Sequence, residues 1–474
     1  MDKVAQIKQF VEDKKDLIID TSMKVWEAAE LGFQETKSAD AIIAALKAEG
    51  FEVTTGLGGI PTAFKGVFGS GHPAVGILGE YDALPSLSQK PGWTHHDGLV
   101  TGGNGHGCGH NALGAGSLGA VIAVKEYMEK NGLKGTIEYY GCPGEETGSG
   151  KMFMAREGCF DHLDAAFTWH PGNANSVWGI SSLANVCIFF KFKGKTAHAA
   201  AAPHLGRSAL DACEIMSVGT NYLREHMLPE ERVHYAYTDV GGPAPNVVQD
   251  HACVFYYMRS PRVSQVLALC ERVKDIARGA ALITGTELEI QISDGLCDYQ
   301  PNTVLSKALS DAFLATGAPE FDDADRALAA QFRKGYSDDE VEASLKRLRP
   351  QYTPEQIDTY RTAPLVEEVA PFVKTDYVQP GSTDVGDVSY ACPTAQLNAA
   401  CYANGTPGHS WQVTAQCGSS IAHKGLLAAA KAMALASVNV MEDPETLQAA
   451  RAEFNKLAGG KYICPVPDDV VPLL

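Results

Sequence analysis

Cys108 and His110 stand two apart in TGGNGHGCGHNALGAG, Thr101 to Gly116, among glycines and just ahead of an Ala/Leu-rich run. Further along, Glu145 and Glu146 are adjacent in CPGEE, and His170 follows AAFTW. Thiolate, imidazole and carboxylate together make a transition-metal donor set, whereas an all-oxygen set would suit magnesium or calcium. Ligands arriving from several strand ends leave room for two ions. The glycines matter because they let the loop bend, so that side chains two apart both turn inward. Two adjacent carboxylates do not easily hold one ion from an irregular loop, which implies a division of labour. One coordinates, and its neighbour stays free to take a proton from a water whose pKa the ion lowers towards about 7.

Each feature also has a plainer reading. A lone loop histidine is ordinarily solvated or capping, so His95, His96 and His106 read as structural, and GEE alone could be a soluble surface. Compatible donors at three separate sites favour metal binding over coincidence.

The elements that must position these residues read as alternating α and β. SADAIIAALKAEG is helical and ends on Gly50; FEVTTG, TAFKGVFG and AVGILGEYD follow as strands. A helix over ALGAGSLGAVIAVKEYMEKNG precedes the strand GTIEYYG, the helical GKMFMAREG and the strand AAFTWH. The expectation is an α/β fold: a mixed, largely parallel sheet sandwiched by helices, with ligands outside the carboxyl ends of the strands. There EYD, GCPGEE and HPG end three strands.

From about residue 184 the pattern becomes β-α-β-β-α-β, the order of a ferredoxin-like α+β module. The chain thus reads as a catalytic domain over 1–184 and 296–474, interrupted by an inserted domain over 185–295. A charged, proline-punctuated stretch over about 319–371 suggests short surface helices rather than core.

Composition narrows the function. With 474 residues and 45% hydrophobic content a large core is available, while a net charge of −18 and no strong basic patch argue against nucleic acid or an anionic membrane. No apolar run reaches membrane-spanning length, and the start reads as a polar amphipathic helix rather than a signal peptide, so the cytoplasm is the expected compartment. Twelve cysteines without CxxC spacing suit reduced thiols.

WEAAELGFQETKSADAIIAALKAEGFEV, EYDALP, GHGCGHNALGAGSLGA, CPGEETGSGK, HPG, GKTAHAA and GTPGHSWQ together resemble the M20 metallopeptidase family, in its amidohydrolase branch. The resemblance runs nearly end to end. It implies a zinc-peptidase-like catalytic domain whose two divalent ions, Mn²⁺ or Zn²⁺ with Co²⁺ compatible, are held by Cys108, His110, Glu146, His170 and a late histidine, His409. Glu145 becomes the free general base. The inserted domain becomes a lid and dimer contact, through which the chain pairs with itself or a related subunit. Its His198 reaches a neighbouring active site to hold the scissile carbonyl, and Asn246 and Arg259 face the substrate's carboxylate end. Within the branch, Asn111, the GSTDVGDVSY segment and the charged insertion resemble the members that cleave p-aminobenzoyl-glutamate to p-aminobenzoate and glutamate.

Two departures stand out. Many relatives carry Asp where this chain has Asn111, and Gln where it has Cys142. The expected activity is metal-dependent hydrolysis of an N-acyl or N-aroyl amino acid, or of a dipeptide. Rival readings are a cysteine amidase using Cys142 or Cys108, and a metal-holding subunit inactive without a partner.

Overall fold

The computed structural model describes residues 2–348, 351–459 and 462–473. Its strands, in chain order, are β1 Glu52–Thr55, β2 Phe64–Ser70, β3 Ala74–Gly79, β4 Gly135–Gly141, β5 Ala165–Gly172, β6 Ser176–Val177, β7 Ser181–Ser182, β8 Ala184–Lys193, β9 Arg232–Asp239, β10 His251–Ser260, β11 Glu287–Leu296, β12 Val378–Gln379 and β13 Thr394–Ala400. The main sheet runs β1-β2-β4-β3-β5-β13-β6. Its four middle strands, β4, β3, β5 and β13, are mutually parallel, and antiparallel partners close both edges. β3 and β4 are buried along their whole length, as expected of strands covered on both faces.

Helix His110–Asn131 is buried on nearly every side, which explains its run of Gly, Ala and Leu in place of an amphipathic stripe. Small residues there permit close helix crossings: a Cβ added to Gly119 would stand 2.7 Å from Ile18 Cδ1 and 3.2 Å from Ala430 Cβ. Ala430 belongs to helix Ser420–Glu442, a helix long and apolar enough to cross a membrane, but mostly buried within the fold. All twelve cysteines are free.

Residues 184–296 build a second sheet, β11-β8-β10-β9, all antiparallel. Burial alternates residue by residue along β10, the signature of a sheet with one covered face. Val254, Tyr256 and Met258 from that face pack with Met216 of helix Ala209–Leu223 and Val266 and Val273 of helix Val263–Thr284 in a core of their own. The order of elements is the ferredoxin-like one.

The charged insertion is more than a solvated surface. Its helices, Asp323–Arg333, Asp338–Arg347 and Pro354–Tyr360, each begin on a capping box, Asp322/Asp325, Ser337/Glu340 and Thr353/Gln356. Their inner faces bury Leu345, Leu348, Tyr352, Ile357 and Tyr360 with Ala174, and Phe332 with Ala403 and Ala415. Apart from Asp325, which is buried against Lys424, the described charged residues of these helices are exposed or half-buried, so average composition conceals two small cores.

Candidate metal centre and active site

The four parallel strands deliver the chemistry from their carboxyl ends. β3 leads into Glu80 and Asp82, β4 into Glu145 and Glu146, β5 carries His170, and β13 leads into the loop bearing His409. Cys108 closes the loop before helix His110–Asn131, whose N-cap is Gly109 in the left-handed region at φ 85°. A side chain at 109 would be strained there, and its Cβ would meet Cys417 Sγ at 2.9 Å and Pro171 Cβ at 3.1 Å. This one glycine lets Cys108 and His110 share a site.

The donor atoms of Cys108, His110 and His170 lie within 4.8 Å of one another, as do those of Cys108, Glu146 and His409, and those of Glu80, His110 and Glu145. Cys108 Sγ is 3.3 Å from His170 Nε2. Glu146 leans both ways, with Oε2 3.5 Å from His409 Nε2 and Oε1 3.9 Å from His110 Nε2. His110 Nδ1 donates to Asp82 Oδ1 at 2.7 Å, while Asp82 Oδ2 accepts the backbone N–H of Glu146 at 2.9 Å. Asp82 therefore orients two expected ligands at once, the supporting role that fixes a histidine's tautomer and leaves Nε2 for an ion.

Behind this cluster Lys151 is completely buried, with Nζ 2.6 Å from both Glu80 Oε1 and Asp384 Oδ1. Burial alone would lower the lysine, but Asp384 and Glu80 hold it well above its ordinary range. Burial would likewise raise Glu80, yet Lys151, His110 and His170 keep its carboxyl below the usual value. Glu145 is compensated only by His110: burial, then Glu80, Glu146 and Asp384, push it well up. For His110, burial is outweighed by Cys108, Asp82 and Glu80, so the ring is pushed well above 6.5. His170 is driven down to about 4 by burial and by His110.

These surroundings call for positive charge. Glu80 Oε2, His110 Nε2 and Glu146 Oε1 are buried and make no hydrogen bond, and among the described residues only a protonated His110 ring, 3.2 Å from Glu80 and 3.9 Å from Glu146, offers these two carboxylate oxygens charge. Orphaned acceptors in a dry site are costly. A mixed thiolate, imidazole and carboxylate set aimed at one place fits divalent transition metals.

Residues 76–410 match the family model described as peptidase family M20/M25/M40, a span that contains every one of these donors. The chain belongs to that family. M20 membership makes it a metallopeptidase-type amide hydrolase, and relatives extend the match to both ends. A p-aminobenzoyl-glutamate hydrolase subunit of Escherichia coli (strain K12) is 43% identical, covering 98% of this chain and 99% of that one. The Xaa-Arg dipeptidase of Mus musculus is 27% identical over 91% of this chain and 88% of its own. A dinuclear metal-binding M20 peptidase from Bacillus subtilis shares the fold with a TM-score of 0.56, at 18% identity over 91% of this chain and 99% of that structure.

The other expected residues of this M20 chain lie elsewhere. His198 is exposed, and no described hydrogen bond or ion pair joins it to the cluster. Its Nδ1 accepts the N–H groups of Ala200 and Ala201 at 3.2 Å, so the neutral ring carries its proton on Nε2 as a donor. Asn246 is exposed beside it, its carbonyl accepting Ala199 N–H at 3.0 Å. Arg259 reaches from β10 to Ser382 Oγ at 3.2 Å, two residues before Asp384.

His106 is buried with Nε2 2.9 Å from the carbonyl of Val25, and His95 and His96 lie against Trp93 and Trp411. Cys142 is fully buried, its thiol facing the Tyr140 carbonyl at 3.5 Å, and burial pushes it up. It is a core residue that no histidine partners among the described residues, which leaves it no base for the cysteine-amidase reading. Cys108 is likewise pushed well up, by burial and by Glu146. Asn111 donates to Ser22 Oγ and the Cys417 carbonyl at 3.1 Å. Asp82, rather than residue 111, takes the supporting role. Glu80, Asp82, Lys151 and Asp384 are site residues that sequence reasoning misses; only the polar EYD strand end points to the first two.

Proposed function

We propose that the chain hydrolyses the amide bond of an N-acyl or N-aroyl amino acid, with p-aminobenzoyl-glutamate as the leading substrate. The observation that carries this reading is the convergence of Cys108, His110, Glu146, His170 and His409 around unpartnered buried donor atoms, with Glu145 beside them. The name of the 43% identical relative supports the choice of substrate. Two divalent ions held by those five residues, Mn²⁺ or Zn²⁺ with Co²⁺ compatible, would supply an acidified water and a polarised carbonyl.

Glu145 takes a proton from water as the water oxygen attacks the carbonyl carbon, and returns it to the departing amine nitrogen. His198 of a neighbouring copy donates Nε2–H to the developing oxyanion. Arg259 and Asn246 hold the carboxylate of the amino-acid half; an arginine grips a carboxylate through two parallel hydrogen bonds. The partner required is a second copy or a related subunit. Exposed Val218, Tyr222, Leu282 and Ile283 on the two helices of the 184–296 module offer an apolar face for it.

A second reading, a metal-holding subunit active only with a partner, is favoured by that relative's being named as one subunit of a hydrolase. Purified chain incubated with p-aminobenzoyl-glutamate separates the two. Release of p-aminobenzoate and glutamate by the chain alone supports the first. A metal-loaded chain that is silent until a related subunit is added supports the second, and turnover of other acyl-amino acids or dipeptides alone moves the substrate.

A further inference from the structure

The helical insertion over 319–371 touches the loop that follows β5, the strand carrying His170, and the loop that carries His409. Ser344, on helix Asp338–Arg347, accepts the side-chain N–H of Asn173 and the backbone N–H of Gly405, the latter at 3.3 Å. Asn173 lies three residues after His170, and Gly405 four before His409. One hydroxyl thus ties the two loops together. Around it, Asn404 N–H donates to the Pro364 carbonyl at 2.9 Å, and Tyr336 and Thr406 share a hydroxyl–hydroxyl bond at 2.9 Å. Gly405, at φ 87°, has no room for a side chain, because a Cβ there would stand 2.9 Å from Val341 Cγ2 and 3.2 Å from Tyr336 Cδ2.

His409 itself sits at φ 51°, a left-handed conformation that a non-glycine residue keeps only when its surroundings over-determine it. The ring is also largely exposed, at 59%, so core packing does not hold it. Ser410 beside it caps helix Trp411–Cys417, and the loop that leads into His409 is gripped by the insertion.

We propose that the 319–371 insertion is a clamp that sets the separation of His170 and His409, with Ser344 as its central positioning residue. The clamp retains the metal at the exposed side of the site, and it rests on the reading of His170 and His409 as metal ligands. Residues supporting a ligand typically change metal affinity by about 10–100-fold when removed.

The test is metal release from loaded full-length protein into excess chelator, followed by an absorbing indicator, with the melting temperature of the metal-free form read alongside. Ser344→Ala and Tyr336→Phe are expected to release metal about 10–100-fold faster than the parent while the metal-free melting temperature hardly moves. Ser344→Thr, which keeps the hydroxyl, should restore slow release. Arg326→Ala, which removes only surface pairs with Glu367 and Asp323, should behave as the parent. If the Ser344 and Tyr336 variants keep their metal within about twofold of the parent while His409→Ala sheds it, the clamp is overturned and the ligand reading survives. If the metal-free melting temperature falls and release is unchanged, the insertion is merely structural, which also overturns the clamp. His409→Ala with full metal content would overturn the ligand reading and the clamp with it.

Discussion

Glu145→Gln isolates the proton-transfer step. The amide keeps the shape and hydrogen-bonding reach of the carboxylate but accepts no proton, so the lost function is general-base catalysis alone. That contribution is typically 10²–10⁴-fold, or about 2.7–5.4 kcal/mol at roughly 1.36 kcal/mol per decade. The structure adds a second expectation. Burial, then Glu80, Glu146 and Asp384, push the proton affinity of Glu145 well up, so this position disfavours a charge and a neutral amide suits it. The metal-free variant should melt no lower than the parent. The assay is kcat/KM for p-aminobenzoyl-glutamate together with metal content by mass spectrometry and a melting curve. A fall of about 10²–10⁴-fold in kcat with metal retained is expected, whereas Glu146→Gln should lose metal. A loss of less than about tenfold, or metal lost from Glu145→Gln and kept by Glu146→Gln, would refute the assignment of roles.

Lys151→Met should lower the melting temperature sharply, because it strands the buried carboxylates of Glu80 and Asp384; breaking a buried pair typically costs about 3–5 kcal/mol. Adding Asp384→Asn should restore part of the loss, and equal melting of single and double variants would contradict the network. His198→Ala should cut kcat by about 10²–10³-fold with metal content and melting unchanged, since the residue is exposed. If it works across a dimer, mixing inactive His198→Ala with inactive Glu145→Gln after dissociation and reassociation should recover activity; a silent mixture would tie His198 to its own chain. Asp387 is pushed up from 3.8 to about 7 by burial. A raised folded-state value means its stabilising contribution is full below its ordinary range and is lost as pH rises through about 7. Melting curves should therefore fall for the parent between about pH 4 and 7 and fall less steeply in that window for Asp387→Asn, Glu35, raised to about 8, still contributing there; parallel curves would contradict the assignment.

The fold was legible because periodicity survives in this sequence. Continuous apolar runs such as AVGILG give buried parallel strands, and alternation in ACVFYYMRS gives a one-sided sheet. Cys108, His110, Glu145, Glu146 and His170 were legible as chemistry because soft donors beside glycines at strand ends are poor candidates for core. His409 carried no such mark, and only the family resemblance singled it out. Lys151 and Asp384 are 233 positions apart and meet only through the fold, so neither could be told from a surface charge. The insertion misled for a related reason: its charges are plain in composition, while the few inward residues of each short helix have no periodic signal long enough to read.

Metal-dependent hydrolysis at a two-ion site is put to the test by titrating metal-free chain with Mn²⁺ or Zn²⁺ and following bound metal and amide hydrolysis together. Activity that chelation abolishes, and that returns with a break at about two ions per chain, as five ligands and a shared Cys108 imply, is the predicted result. Hydrolysis that survives complete removal of metal, or a chain that binds none, would contradict a metal-activated water.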